Sequence, residues 1–143
     1  VARSTFYKHY ADKDDFMVTS FAGMVQMADE AARARGLDGV LPARHVFAHV
    51  ESARTFALSL AASGEFAKAQ AAREAKLVPI AEANLARLKP AMTQARRRDV
   101  ATFLVGAFMG TLRAWMDDGL RQSAQHVAGV FETMAARVLA GEA

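Results

Sequence analysis

The sequence predicts an all-α protein, and three observations carry that prediction. Alanine is abundant while runs of β-branched residues are missing, a composition that favours helix over strand. Only three prolines interrupt the 143 residues. Apolar residues recur at steps of three and four along most of the chain, and no stretch keeps the two-residue period of a strand. A hydrophobic content of 52% is enough to fill a core at this length. No signal peptide opens the chain and no apolar run of roughly eighteen residues is free of charge, so no membrane span is predicted. The absence of cysteine excludes disulfides and thiolate metal sites and suits a reducing cytoplasm, the expected location. A net charge of +3, with an isoelectric point near 9.6, permits a nucleic-acid partner without demanding one.

The first helix is short. Ala2, Phe6 and Tyr10 share one face, while Arg3, Ser4, Tyr7 and Lys8 cluster on the other. The first ten residues carry Arg3 and Lys8 and no acidic residue, and hydroxyl and cationic side chains are the ones that contact phosphate oxygens and base edges. Asp12 is a candidate N-cap for the next helix. The order S-T-F-Y-K-H-Y-A-D-K-D-D-F resembles the end of the helix-turn-helix of tetracycline-repressor-type (TetR family) transcriptional regulators. That resemblance implies that Ser4, Thr5, Tyr7, His9 and Lys13 touch DNA, mostly at phosphates, with Phe6 and Tyr10 in the core. Lys8 adds a further phosphate contact, and Arg3 stands at the leading end, the part that enters the major groove. Tyr10 replaces the more usual Phe. Members of the family carry two further helices before this one, and the start at Val1 without Met leads us to expect a preceding segment.

A second helix is predicted from about Asp12 to Arg35, ended by Gly36, with Met17, Phe21, Met24, Ala28 and Ala31 as its apolar stripe. Residues 1–36 thus form the end of a DNA-binding unit and a connecting helix, and residues 37–143 a helical body. A third helix is predicted from Pro42 to about Ala62, with Val46, Val50, Ala53, Ala57 and Leu60 in step. Ser63 reads as the N-cap of a short helix from Gly64 to about Lys76. Pro79 lies near the start of a further segment carrying Leu77, Ile80, Ala81, Asn84, Leu85 and Leu88. The longest apolar stripe runs from Val100 to Met116, with a second stripe of Ala101, Val105 and Met109 beside it. Phe103 adds to its apolar surface, and Gly106 and Gly110 remove side chains from one ridge. A helix apolar on two sides is expected to pack on a second copy. Arg96, Arg97 and Arg98 precede it and suit a solvated helix start, an inter-subunit salt bridge or a nucleic-acid contact. Asp117-Asp118-Gly119 is a turn, and Ser123 is the predicted N-cap of a last helix with Val127, Val130, Phe131, Met134 and Val138 on one face.

Trp115, the acidic turn and the closing helix are similar to the C-terminal end of the same family, whose last two helices form a four-helix dimer interface. This implies a homodimer through Phe103, Gly106, Gly110, Val127, Phe131 and Met134. The resemblance also implies a pocket between the helices of residues 42–116, with Phe47, Phe56, Met92, Phe108 and Trp115 as candidate walls. Seven Met and nine Phe suit a wall that adapts to apolar ligands.

Catalytic chemistry is not supported. His45 and His49 share a helix face near Glu51, but the H-E-x-x-H pattern is missing, and a satisfied or exposed histidine pair is the simpler reading. Neither a G-x-S-x-G elbow nor a glycine-rich phosphate loop occurs. No cofactor, metal site or enzyme activity is predicted. The expected function is a dimeric repressor that binds double-stranded operator DNA and is released by a small apolar or amphipathic effector. The rival expectation is a stand-alone helical dimer that carries apolar ligands or binds a partner protein. The codons upstream of Val1 separate the two.

Overall fold

The computed structural model describes residues 13–142, and among these every regular element is a helix. In chain order they are α1 (Lys13–Ala34), α2 (Ala43–Ser52), α3 (Arg54–Ser63), α4 (Gln70–Leu88), α5 (Gln94–Asp117) and α6 (Ala124–Ala140). α5 is the central column. α4 packs along it, α3 and α6 also lean on it, and α2 packs on α6. α1 lies on the outside against α4 and α2.

Local chemistry sets most helix ends. α1 stops where Gly36 turns to φ 72°, and the Leu37 and Gly36 amides donate to the Ala32 and Arg33 carbonyls at 2.9 and 3.0 Å. This paired closure needs a left-handed residue, which glycine adopts without penalty. α5 ends the same way at Gly119, with Leu120 and Gly119 bonded to Trp115 and Met116. Ser123 accepts from the His126 amide at 3.1 Å and caps α6, as predicted, and Thr93 caps α5 through the Arg96 amide.

Three boundaries differ from the sequence expectation. The predicted helix from Pro42 to Ala62 breaks at Ala53 into α2 and α3. There the Ser52 hydroxyl donates to the His49 carbonyl at 2.7 Å, and the Ala53 amide is shared between the His49 and Val50 carbonyls. Such back-bonding bends a helix. Ser63 closes α3 instead of opening a new helix, with Gly64 left-handed as the C-cap. Gln70–Leu88 is one helix that runs through Pro79, so the break expected there does not occur. The missing amide at Pro79 costs about 3 kcal/mol, which the packing of α4 on both α5 and α1 offsets.

The core is aromatic at its centre. Phe47 of α2 lies 5.3 Å from Phe108 and 5.7 Å from Trp115, both on α5, and Phe131 of α6 meets Phe108 edge-on at 5.4 Å. The Trp115 indole donates to the Gln122 carbonyl at 2.9 Å, so its one polar atom is satisfied. The α2–α3 bend grips the α5–α6 turn. Glu51 accepts from the Ala124 amide at 2.9 Å, and Arg54 donates to the Leu120 and Gly119 carbonyls.

Candidate functional site

The stripe Met17, Phe21 and Met24 was expected to be the packing face of α1, yet these residues are only half-buried. The buried side of α1 is displaced by one position, to Val18, Val25, Asp29 and Ala32. Likewise Val50, Ala53 and Leu60, on the expected stripe of α2 and α3, are half-buried. The two stripes meet across a half-open cavity of about 370 Å³. Leu112 and Met116 of α5 line it as well, and Phe66 and Arg73 bring in the α3–α4 connection and α4. A volume of this size suits one small ligand.

Polar groups in this wall are few. Ser20 and His49 line it, as does Arg73, which is only 3% exposed. The Arg73 guanidinium sits 4.4 Å from the Phe66 ring centroid and 5.9 Å from that of Phe21. One end of it donates to the Lys68 carbonyl at 2.8 Å and to the Phe66 carbonyl. Its Nε is buried and has no hydrogen-bond partner among the described residues. Burial pushes the Arg73 guanidinium below its ordinary value, while the negative charge of Asp14 pulls the other way.

A second cavity, of about 340 Å³, lies beside the α1–α2 connection. Its charged groups are already matched. Arg44 pairs with Glu132 at 2.9 Å, Asp38 with Arg87 at 3.0 Å, and Asp29 accepts from Asn84 at 2.8 Å. Asn84 also donates to the Val40 carbonyl, and Arg33 and Arg87 close the network around it. This buried cluster fastens the C-terminal end of α1 to α4 and leaves no donor set turned outward.

Of the five aromatic and Met residues proposed as pocket walls, Phe56 alone lines the larger cavity, where it is 59% exposed. Phe47, Phe108 and Trp115 are packed on one another instead, and Met92 is buried just before α5. The residues expected at a subunit interface divide in the same way. Phe103 and Met134 are 63% and 60% exposed, whereas Val127 and Phe131 point into the core. Val130, one turn before Met134, is the residue of α6 that joins the outward apolar face. A Cβ placed on Gly106 or Gly110 would meet nothing within 4 Å.

Lys13 opens α1 and is exposed. Arg3, Ser4, Thr5, Tyr7, Lys8 and His9 lie outside the described residues, as does the N-cap candidate Asp12. Asp14 and Asp15 occupy the first turn of α1, where negative charge complements the helix dipole. The arginine triplet before the α5 stripe is engaged within the chain. Arg96 holds Glu142 through two contacts of 2.8 Å, Arg98 holds Glu82 at 3.1 Å and Arg97 donates to the Met92 carbonyl. His49 lines the larger cavity and His45 the smaller, and Glu51 is committed to the start of α6. No cluster of three potential metal ligands and no helix long and apolar enough to cross a membrane occurs among the described residues. No family model, curated protein or solved structure matches the chain.

Proposed function

We propose that the chain is the effector-binding, dimerising part of a DNA-binding transcriptional repressor, and that a small apolar or amphipathic molecule in the larger cavity releases it from a palindromic operator. One observation carries this reading. The helix that follows the predicted recognition segment is itself a wall of the cavity, through Met17, Phe21 and Met24. A ligand that contacts this wall better in one position of α1 than in another shifts the balance between them, by its difference in affinity. Because α1 continues from the DNA-reading segment, that shift changes how the two recognition helices are spaced. The outward face of Phe103, Val130 and Met134, with open space over Gly106 and Gly110, supports pairing of two copies. Two copies supply the two recognition helices that a palindrome requires.

The test uses the open reading frame that contains this chain, challenged with a pool of random duplex DNA. Enrichment of a palindromic sequence is expected. Lys13→Ala and Lys8→Ala should weaken binding to all sequences alike and lower the salt-dependence slope by about 0.9 for each phosphate no longer neutralised. Arg3→Ala should relax the sequence preference, by about 1–3 kcal/mol at one base pair. Failure to enrich any sequence, in a protein that still takes up apolar ligands, would favour the ligand-carrying helical dimer.

Assembly is checked separately by light scattering. Gly110→Leu is expected to weaken the dimer while leaving the subunit folded, since the added side chain enters open space within it. The same change at exposed Gln122 is expected to do neither. A wild-type monomer at micromolar concentration would remove the dimer from the reading.

A further inference from the structure

Arg73 is the feature of the larger cavity that plain apolar packing does not explain. A guanidinium has five N–H donors and keeps its charge at any physiological pH. In Arg73 one end of that fork is used up on the carbonyls of the α3–α4 connection, which fixes where the group sits. The planar group then packs on Phe66, with Phe21 farther off, two rings that meet each other edge-on at 6.0 Å and also line the cavity. Among the described residues no carboxylate is within salt-bridge distance of it, although seven other ion pairs occur. Asp14 acts on it only from farther off. A desolvated charge with a buried, unpartnered Nε is costly unless something in the site completes it. Apart from Ser20 and His49, the rest of the wall is apolar or soft, with Met24, Leu60, Leu112 and Met116 among its residues.

We infer that the cavity takes a small amphipathic acid, with its carboxylate against the Arg73 guanidinium and its apolar body along α1, α3 and α5. The inference rests on the proposed effector site and names the ligand's chemical class. An anionic head gains a charge-assisted contact that a neutral head of the same size does not. The Met and Leu walls accept the tail without demanding one shape, so the head group supplies the selectivity and the tail most of the buried area.

Three probes with the same tail separate the parts of this claim: decanoate, decanol and decylamine, each titrated calorimetrically below its self-association limit. The wild-type protein is expected to bind decanoate at least tenfold more tightly than decanol, the scale of one hydrogen bond to a charged group, and decylamine most weakly. In Arg73→Gln the preference for decanoate should vanish while decanol binds as before, and Arg73→Lys should keep part of it. Because Arg73 also holds the α3–α4 connection, the wild-type comparison decides the acid assignment even if Arg73→Gln fails to fold, and Arg73→Lys, which keeps the charge and donors, then tests the role of Arg73 by a reduced preference for decanoate. Equal binding of acid and alcohol, or a preference for the amine, overturns the acid assignment and leaves the cavity as an apolar effector site. A preference for decanoate that survives in Arg73→Gln overturns the role of Arg73. No binding of any probe overturns both the inference and the effector site it rests on.

Discussion

α1 and α5 are nearly equal in length and opposite in how they are held. α5 buries nine of its 24 residues, from Val100 to Met116, and every one is apolar. α1 buries four of 22, and one of the four is an aspartate. The difference lies in what each faces. α5 is packed by α3, α4 and α6, whereas much of the apolar surface of α1 looks onto the cavity. An apolar side chain beside empty space makes few of the dispersion contacts that it would make in a filled core. α5 is therefore the frame. α1 is the less tightly packed element, the one that the proposed effector would act on.

Core substitutions should break this comparison most visibly if it is wrong. Phe108→Ala removes a fully buried ring that touches two others and should cost about 3–5 kcal/mol in denaturant unfolding. Met24→Ala on the cavity wall should cost no more than about 1.5 kcal/mol, because its site already faces space. Similar losses at the two positions would mean that the cavity is filled by packing in solution.

A smaller effect sharpens the same contrast. Asn84→Ala removes the donor to Asp29 Oδ1 and to the Val40 carbonyl, leaving Asp29 with Arg33 alone, and should cost about 1–3 kcal/mol. Its signature should be regional, with amide exchange rising through the last turns of α1 while α5 stays protected. Uniform loss of protection would show that the two helices unfold as one unit. Ser123→Ala should cost about 1 kcal/mol by removing the cap of α6, with no change in exchange along α1.

The smallest expected effect is a pH dependence at the far end of the chain. The Arg96 guanidinium, hydrogen-bonded to Glu142, holds that carboxyl below its ordinary value. A depressed folded value means that the ion pair contributes at pH above the ordinary glutamate range, near 4.3, and that its contribution disappears as pH falls through the folded value. Carboxyl titration by NMR should place Glu142 below that range in the wild type and return it there in Arg96→Gln. The protection of α1 should not change across this interval.

Much of the frame was legible in the sequence. Gly36, Gly119 and Ser123 mark helix ends by local chemistry that needs no tertiary partner, and the density of apolar residues from Val100 to Met116 announces a central helix. The bend at Ala53 was not legible. No glycine or proline marks it, and it is held by Glu51 and Arg54 reaching a distant turn. Pro79 misled in the opposite direction, since a proline that ends an isolated helix can be carried through by packing on two sides. The candidate site was half visible. Its apolar walls are the very stripes read from the sequence, but periodicity reports that a face is apolar and not whether anything fills it. Asp29 and Arg73 did leave a signal. Asp29 falls in step with Val25 and Ala32, and Arg73 with Leu77 and Ala81, so each is a charge on a buried stripe. Of the aromatic residues expected as pocket walls, Phe56 lines the cavity, whereas Phe47, Phe108 and Trp115 pack together instead, because rings gain more from a packed cluster than from lining a gap.

The bond from Glu51 to the start of α6 also bears on the order of events when the chain folds. It joins groups 73 residues apart, and closing so long a loop is worthwhile only once the intervening helices have collapsed around α5. α5, its glycine turn and the serine-capped α6 can form as a local hairpin beforehand. Removal of the carboxylate is therefore expected to leave the refolding rate nearly unchanged and to act on the rate of unfolding. The grip of the α2–α3 bend then works as a latch, set late in folding and setting how long the native state lasts.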